Sequence, residues 1–591
     1  MQKTCTHCGE SFVVTQDDIA FLDRVAPVIQ GIKYDLPPPT HCPDCRQQRR
    51  LAQCNEQFLY PGKCGLCGKR TVTENPPQAN QPIYCRACWY SDKWDPRDYG
   101  REFDFERPFF EQFYELRRTV PAIALNQTGT IENSDYIHYA GYSKNCYLIA
   151  HADFCEDCCY GYGFKKNTSC MDGFYNLHCE LCYDGVYIHK SYGLVGCQDA
   201  VSCSNSAFLK DCIGCRNCFL CTGLRDGEYY FENKKLTKEQ YEAKMKEIDL
   251  GSYAQYQKYK QRLQELTQKM LVKEYTGHNI ENSTGNYLQN CKNCAHCFDV
   301  EDGEDLKYCY QLVLGAKDSR DIYQYGTKIT LCYECSIVGD SSYHILFSSQ
   351  IFINNNDLLY CCFLANSCKN CFGCCNMTGK SYCILNKQYS QEEYEKLVPR
   401  IIKHMGGTPR AHGASAQASE SGSRGSRSSE AELKNKEFGE FFPISTSLFG
   451  YNKTYAQLYY PLTREEVISK GWKWDEYEPA LPVVEKTIRA NQLPDNIKDI
   501  PDDIVHWALL CEKTGRPYKI QPLELTLLRK MNVPIPRLHP DQRHRDRFSL
   551  RNPRKLWNRE CVKCQKTITT TFAPERKETV YCESCYLKEV Y

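Results

Sequence analysis

The chain has 591 residues, enough for roughly three to five domains at about 150 residues each. Its 74 Lys plus Arg against 73 Asp plus Glu leave a net charge of +1, which excludes a protein that coats nucleic acid through overall charge; a charge-driven partner must meet a local patch. The 40 cysteines and 43 tyrosines set the chain apart.

The start MQKTCTHCGE shows no basic-then-apolar leader, and no apolar run of about 18 residues occurs anywhere. The expectation is a soluble protein of a reducing cytoplasm with no membrane association, where thiols serve as metal ligands or small apolar fillers. An exported, disulfide-rich protein is the weaker alternative.

Residues 1–90 read as a double zinc-ribbon domain. Cys5/Cys8, Cys42/Cys45, Cys64/Cys67 and Cys85/Cys88 are four Cys-x-x-Cys hooks, and two hooks make one tetrahedral zinc site. The pairing follows from the other end of the chain. Aligned without a gap, 36–89 and 533–586 share 16 identities in 54 positions. Cys64, Cys67, Cys85 and Cys88 fall on Cys561, Cys564, Cys582 and Cys585, whereas Cys42 and Cys45 fall on His539 and Gln542. CTHCGESF also matches CEKTGRPY, placing Cys5 and Cys8 on Cys511 and Thr514. The C-terminal copy has lost its first two hooks and kept its last two. Cross-braced pairing would not survive that loss; sequential pairing does. The expected sites are therefore Cys5/Cys8/Cys42/Cys45, Cys64/Cys67/Cys85/Cys88 and Cys561/Cys564/Cys582/Cys585, about three Zn2+ per chain. Four thiolates leave no open coordination position, so the metals should be structural. Cys511 and His539 alone do not predict a fourth. CTHCGESF followed by CPDCRQQRR resembles the treble-clef zinc-ribbon family over residues 5–50.

After a connecting segment, 91–142, the cysteine-rich region begins. Residues 143–388 hold 26 of the 40 cysteines. Many recur at 24 residues: Cys146 and Cys170, Cys155, Cys179 and Cys203, Cys158 and Cys182, Cys197 and Cys221. That interval suggests one coil of a β-solenoid, with equivalent residues stacked in ladders. [Lys/Arg]-Asn-Cys recurs at Lys144–Cys146, Arg216–Cys218, Lys292–Cys294 and Lys369–Cys371, and Asn suits the left-handed corners of such a coil. Residues 215–242 align with 368–395, so the solenoid should come in two halves, 143–236 and 276–388. Each half passes through Asn-Lys into a helix capped by Thr237 or Ser390, giving a helical insert at 237–275 and a helix at 389–405. The lumen thiols read first as packing. Cys212, Cys215, Cys218 and Cys221 form Cys-x2-Cys-x2-Cys-x2-Cys, the candidate for an extra zinc or an iron–sulfur cluster, although the Cys-Pro ending of a ferredoxin run is missing.

Residues 406–435, rich in Gly, Ser and Ala, read as a flexible linker. An aromatic-rich segment, 436–505, follows, and 506–591 is the C-terminal zinc-ribbon domain with a degenerate first site. The expected fold class is multidomain and mainly β: zinc-ribbon or treble-clef modules at both ends, flanking a cysteine-rich β-solenoid in two halves with helical inserts.

WDPRDYG at 94–100, RPFFEQFYELRRTVP at 107–121, NCFGC at 370–374 with YCILNKQY at 382–389, and LRNPRKLW at 550–557 together resemble the long cysteine-rich zinc-ribbon proteins of candidate-phyla-radiation bacteria. The resemblance spans nearly the whole chain. It implies a cytoplasmic bacterial protein and brings no catalytic residues with it.

No phosphate loop, zincin helix or nucleophile elbow is present, and no small-molecule substrate is indicated. The functional candidate is basic: Arg46, Arg49 and Arg50 near one end, and Arg543, Arg545, Arg547, Arg551, Arg554 and Lys555 near the other. On rigid zinc modules these could contact nucleic-acid phosphates; alternatively Arg46 and Arg543 brace the module's own turn. The expectation is a zinc-stabilised, non-catalytic scaffold that engages nucleic acid or a protein through its ribbon modules. The alternatives are a β-solenoid enzyme acting on carbohydrate and an iron–sulfur redox protein.

Overall fold

The computed structural model describes residues 1–411, 436–479 and 483–590. Its middle is a β-solenoid built on a period of three. Tyr139, Tyr142, Asn145, Leu148, His151, Phe154, Asp157 and Tyr160 all have left-handed backbones, with φ from 46° to 56°. Each corner turns the chain, so three residues make one side. Four sides close a coil, and paired residues are 12 apart: Met171 with Tyr183, and Tyr183 with Val195. In the second half the step lengthens to 13 in places, as between Tyr333 and Leu346. The 24-residue interval is thus two coils, not one. On one side of the lumen Cys146, Cys158, Cys170 and Cys182 follow at every coil, whereas Cys155, Cys179 and Cys203 occur at every second coil with Asn167 and Ser191 between them, which is what gave the longer interval.

The residue after each left-handed corner points into the lumen, and its backbone N–H needs an acceptor there. Corner residues bond to neighbouring coils through the backbone, as in Asn145 N–H to the Glu132 carbonyl at 3.0 Å. Lumen residues use side chains of the coil before. Cys146 N–H donates to Ser134 Oγ at 2.8 Å, Cys179 N–H to Asn167 Oδ1 at 2.9 Å and Leu209 N–H to Cys197 Sγ at 3.4 Å. The lumen side chain also donates outward: Cys155 Sγ to the Asp153 and Phe164 carbonyls at 3.5 and 3.6 Å. Ser143, Ser191 and Ser206 make the first of these bonds, each to the carbonyl two residues back, at 2.9, 2.8 and 2.8 Å. Cysteine suits the position because it is small, tolerates burial and still donates and accepts.

The described strands of the first half run parallel from Gln127–Glu132 to Tyr230–Phe231. The solenoid therefore begins at 127 rather than 143. Its first coils put Ile131, Ser134 and Ile137 in the lumen, so cysteine spacing cannot reveal them. Each half closes with an antiparallel turn, at Glu232-Asn233 and Leu385-Asn386. All four residues have positive φ, as a type I′ hairpin requires. Capped helices follow, Lys238–Lys246 with Thr237 and Gln391–His404 with Ser390.

The chain resolves into two units, each made of two separate segments. Met1–Ala124 joins Tyr275–Glu476, and Leu125–Glu274 joins the chain from Tyr477 onward. The N-terminal ribbon domain thus belongs with the second half-solenoid, and the C-terminal one with the first. In the first unit an aromatic core including Phe109, Phe113, Tyr360, Phe372 and Phe442 lies between helices and coil faces. In the second, Phe208, Phe219 and Tyr256 join Leu527, Leu528 and Ile535. Of the segment expected to be a linker, Thr408–Ala411 is a strand paired with Ile32–Asp35, because Arg410 there also binds Asp23 and Asp35. Residues 412–435 lie outside the described residues.

Candidate metal centres and their docking helices

Three groups of four cysteines bring one Sγ each within 4.8 Å of one another: Cys5/Cys8/Cys42/Cys45, Cys64/Cys67/Cys85/Cys88 and Cys561/Cys564/Cys582/Cys585. The hooks pair sequentially. In the first, Cys5 and Cys8 flank the turn of a Gln2–Thr4/Ser11–Val13 hairpin, and Cys42 and Cys45 open the Pro43–Leu51 helix. The other two groups repeat a hairpin hook with a helical hook, Cys85/Cys88 around Arg86–Trp89 and Cys582/Cys585 at Glu583–Val590. In both of them burial disfavours the leading thiolate, but backbone N–H groups aimed at the sulfur outweigh it. Cys64 and Cys561 are each brought down to about 6. In the first group a hydrogen bond from Cys45 is the main cause that lowers Cys42 to about 5. Four sulfurs converging in each group, with at least one of them favoured as a thiolate, can hold a metal ion.

The lumen cysteines do not form such groups among the described residues. Cys212, Cys215, Cys218 and Cys221 occupy four successive sides of the coil. Each donates to the carbonyl two residues back, at 3.5, 3.5, 3.2 and 3.3 Å. Burial pushes the lumen thiols Cys197 and Cys332 up to about 12. The four thiols of the 212–221 run serve in packing and hydrogen bonding, and among the described residues they do not converge as the three groups at the ends do.

The basic residues are also placed differently from a phosphate-binding patch. Arg46, Arg49 and Arg50 lie on the Pro43–Leu51 helix, yet are only 3 %, 6 % and 0 % exposed. Arg46 makes a two-pronged bond to Asp321, Nε at 3.0 Å and Nη2 at 2.9 Å. Arg50 reaches both Asp321 and Glu334 at 3.2 Å. Arg49 binds Glu334 at 3.2 Å and Glu440 at 2.7 Å. The second unit repeats the arrangement. On the Pro540–Ser549 helix, Arg543 binds Asp172, with Glu524 at 3.1 Å, and Arg547 reaches Asp172 at 3.0 Å and Asp184 at 3.6 Å. Asp172 and Asp184 are left-handed corners one coil apart, as Asp321 and Glu334 are. A corner tyrosine one coil earlier lies against the first arginine in both units: Tyr308 with Arg46 at 5.3 Å, Tyr160 with Arg543 at 4.5 Å. An Arg-x3-Arg helix therefore docks on a Tyr–acid–acid ladder twice in the molecule.

Arg551 is buried as well, stacked on Phe174 at 4.7 Å with Nε 3.0 Å from the Tyr187 hydroxyl. Arg554 is half-buried; Arg545 and Lys555 alone of the nine are exposed. Guanidinium groups that are buried and engaged, by ion pairs in Arg46, Arg49, Arg50, Arg543 and Arg547 and by stacking and a hydrogen bond in Arg551, do not face a phosphate, so the phosphate-contact role falls for these six. Sequence reasoning missed their partners, Asp172, Asp184, Asp321 and Glu334. The signal was acids one coil apart behind a tyrosine, readable only once the coil length is known.

No family model, curated protein or solved structure matches the chain. Among the described residues no helix is long and apolar enough to cross a membrane.

Proposed function

We propose that the protein is a non-catalytic binding scaffold whose end modules, each folded around zinc, clasp the two half-solenoids. The observation that carries this is the twofold Arg-x3-Arg clasp: what both copies of the module keep is the means of docking. Zinc is favoured by the donor set. Four thiolates about 2.3 Å from a zinc stand about 3.8 Å apart along the edges of a tetrahedron. The Cys8–Cys42, Cys67–Cys85 and Cys564–Cys582 sulfurs are 3.7, 3.9 and 3.7 Å apart. Reduced lumen thiols fit a reducing cytoplasm, in keeping with the bacterial cysteine-rich proteins the sequence resembles.

With the helix arginines engaged inward, a partner meets the outer corners of the solenoid. One exposed column runs Tyr142, Phe154, Lys166, His178 and Lys190, a coil apart, with the Tyr142 and Phe154 rings stacked at 4.8 Å. A protein partner fits this mixed apolar and cationic surface better than nucleic acid does. Metal analysis should find three zincs per chain, and fewer than three would sink the assignment. Partner capture from native lysate should be lost with Phe154→Ala/Lys166→Glu and kept with Arg545→Glu/Lys555→Glu. The reverse, or capture abolished by nuclease, would return the function to the ribbon helices.

A further inference from the structure

We propose that metal binding at Cys5, Cys8, Cys42 and Cys45 controls docking of the Pro43–Leu51 helix on the second half-solenoid, whereas docking of the Pro540–Ser549 helix is independent of metal. This rests on the zinc assignment above and adds a role for one site. Cys42 is the N-cap of the first helix and makes no side-chain capping bond. Cys45 lies in its first turn, and the docking residues Arg46, Arg49 and Arg50 follow directly. The ligand that fixes the start of the helix therefore also aims its arginines. A nine-residue helix is not stable in water alone, and three arginines can enter a buried site only if they arrive together in register with the carboxylates.

The C-terminal copy shows what replaces the metal. His539, at the position of Cys42, caps its helix by accepting from Asp541 N–H at 3.1 Å. Arg516, from the hairpin, binds Asp541 at 2.8 Å, tying together the two elements that a metal ties in the other copy. Gln542, at the position of Cys45, donates to Asp546 at 2.7 Å. The backbone contact between hairpin and helix approach is kept in both: Thr6 N–H to Thr40 at 3.1 Å, Glu512 N–H to Arg537 at 3.2 Å. One clasp is thus held by thiolates and can open when the metal leaves. The other is held by hydrogen bonds and stays shut.

The full-length chain tests this by hydrogen exchange and metal analysis on Cys5→Ser/Cys8→Ser, which removes the hook outside the helix. Metal should fall from three to two per chain, amides of 43–51 should exchange at least ~10-fold faster, and those of 540–549 should not change. Metal loss with 43–51 still protected, or equal loss in both helices, overturns the proposal. Wild-type protein lacking metal at this site would overturn the zinc assignment and the proposal with it. Linkage supplies a second measurement that leaves every cysteine in place. Asp321→Asn should weaken metal retention at this site about 10-fold against a competing chelator, and Asp172→Asn should leave all three metals unaffected. Unchanged retention in Asp321→Asn also overturns it.

Discussion

Arg46 and Asp321 form a two-pronged ion pair, at 3.0 and 2.9 Å, in which both side chains are almost wholly buried. Burial alone would disfavour the charged guanidinium, but Asp321 outweighs it and holds Arg46 well above its ordinary value. Removing one member of such a pair leaves an uncompensated buried charge. Asp321→Asn should therefore cost about 3 kcal/mol, read as earlier unfolding of the first unit in denaturant. Asp172→Asn should do the same in the second unit. A loss under about 1 kcal/mol would place these pairs in the class of exposed salt bridges.

Much of this architecture was legible in the residues, and its limits are physical. Cys-x-x-Cys hooks announce themselves because a metal dictates local spacing, and the eroded copy settled which hooks pair. The solenoid was legible through Asn-Cys at its corners: Asn145, Asn217, Asn293 and Asn370 are all left-handed. Its coil length is carried openly only by the 12-residue ladder Cys146, Cys158, Cys170 and Cys182, which positions such as Asn167 and Ser191 interrupt on the neighbouring side, while the period of three lies in backbone conformation. Corners accept Tyr, Leu, Phe and Asp as well as Asn, so no residue type marks them. The role of the arginines was hidden for a related reason. Asp321 is 275 residues from Arg46, and Asp172 is 371 from Arg543. A patch that looks solvated in one dimension is closed by acids that nothing nearby in the chain reveals.

The lumen thiols give a chemical prediction. Cys197 accepts from Leu209 N–H at 3.4 Å and donates to the Val195 carbonyl at 3.4 Å. Cys197→Ser keeps both roles and should cost less than about 1.5 kcal/mol, whereas Cys197→Ala orphans the buried N–H and should cost about 1–3 kcal/mol. Neither should change metal content. A variant that lost metal along with stability would return the lumen to the candidate metal sites.

The second unit should be acid-sensitive through His544. Burial, reinforced by Arg547, lowers its value from 6.5 to about 3. Because the folded value is depressed, the neutral ring's contribution is complete above pH 6.5. It is lost progressively as the pH falls toward 3, since the unfolded chain takes up the proton first. At pH 4.5 the loss should be about 2–3 kcal/mol. His544→Phe should flatten unfolding free energy against pH between 6.5 and 4.5. An unchanged slope would assign the acid sensitivity to other groups.

Arg551 separates charge from fit. Its guanidinium lies 4.7 Å from the Phe174 ring, 5.4 Å from Tyr187 and 5.3 Å from Phe548, and its Nε bonds the Tyr187 hydroxyl. Arg551→Lys keeps the positive charge but loses the planar group that stacks among three rings. If the residue served phosphate, lysine would largely preserve binding and stability would not change. The packing instead demands that stability fall by about 1–2 kcal/mol, in denaturant unfolding followed by near-ultraviolet circular dichroism. Any weak affinity for nucleic acid should stay the same, because in this fold the arginine holds the module to the coil.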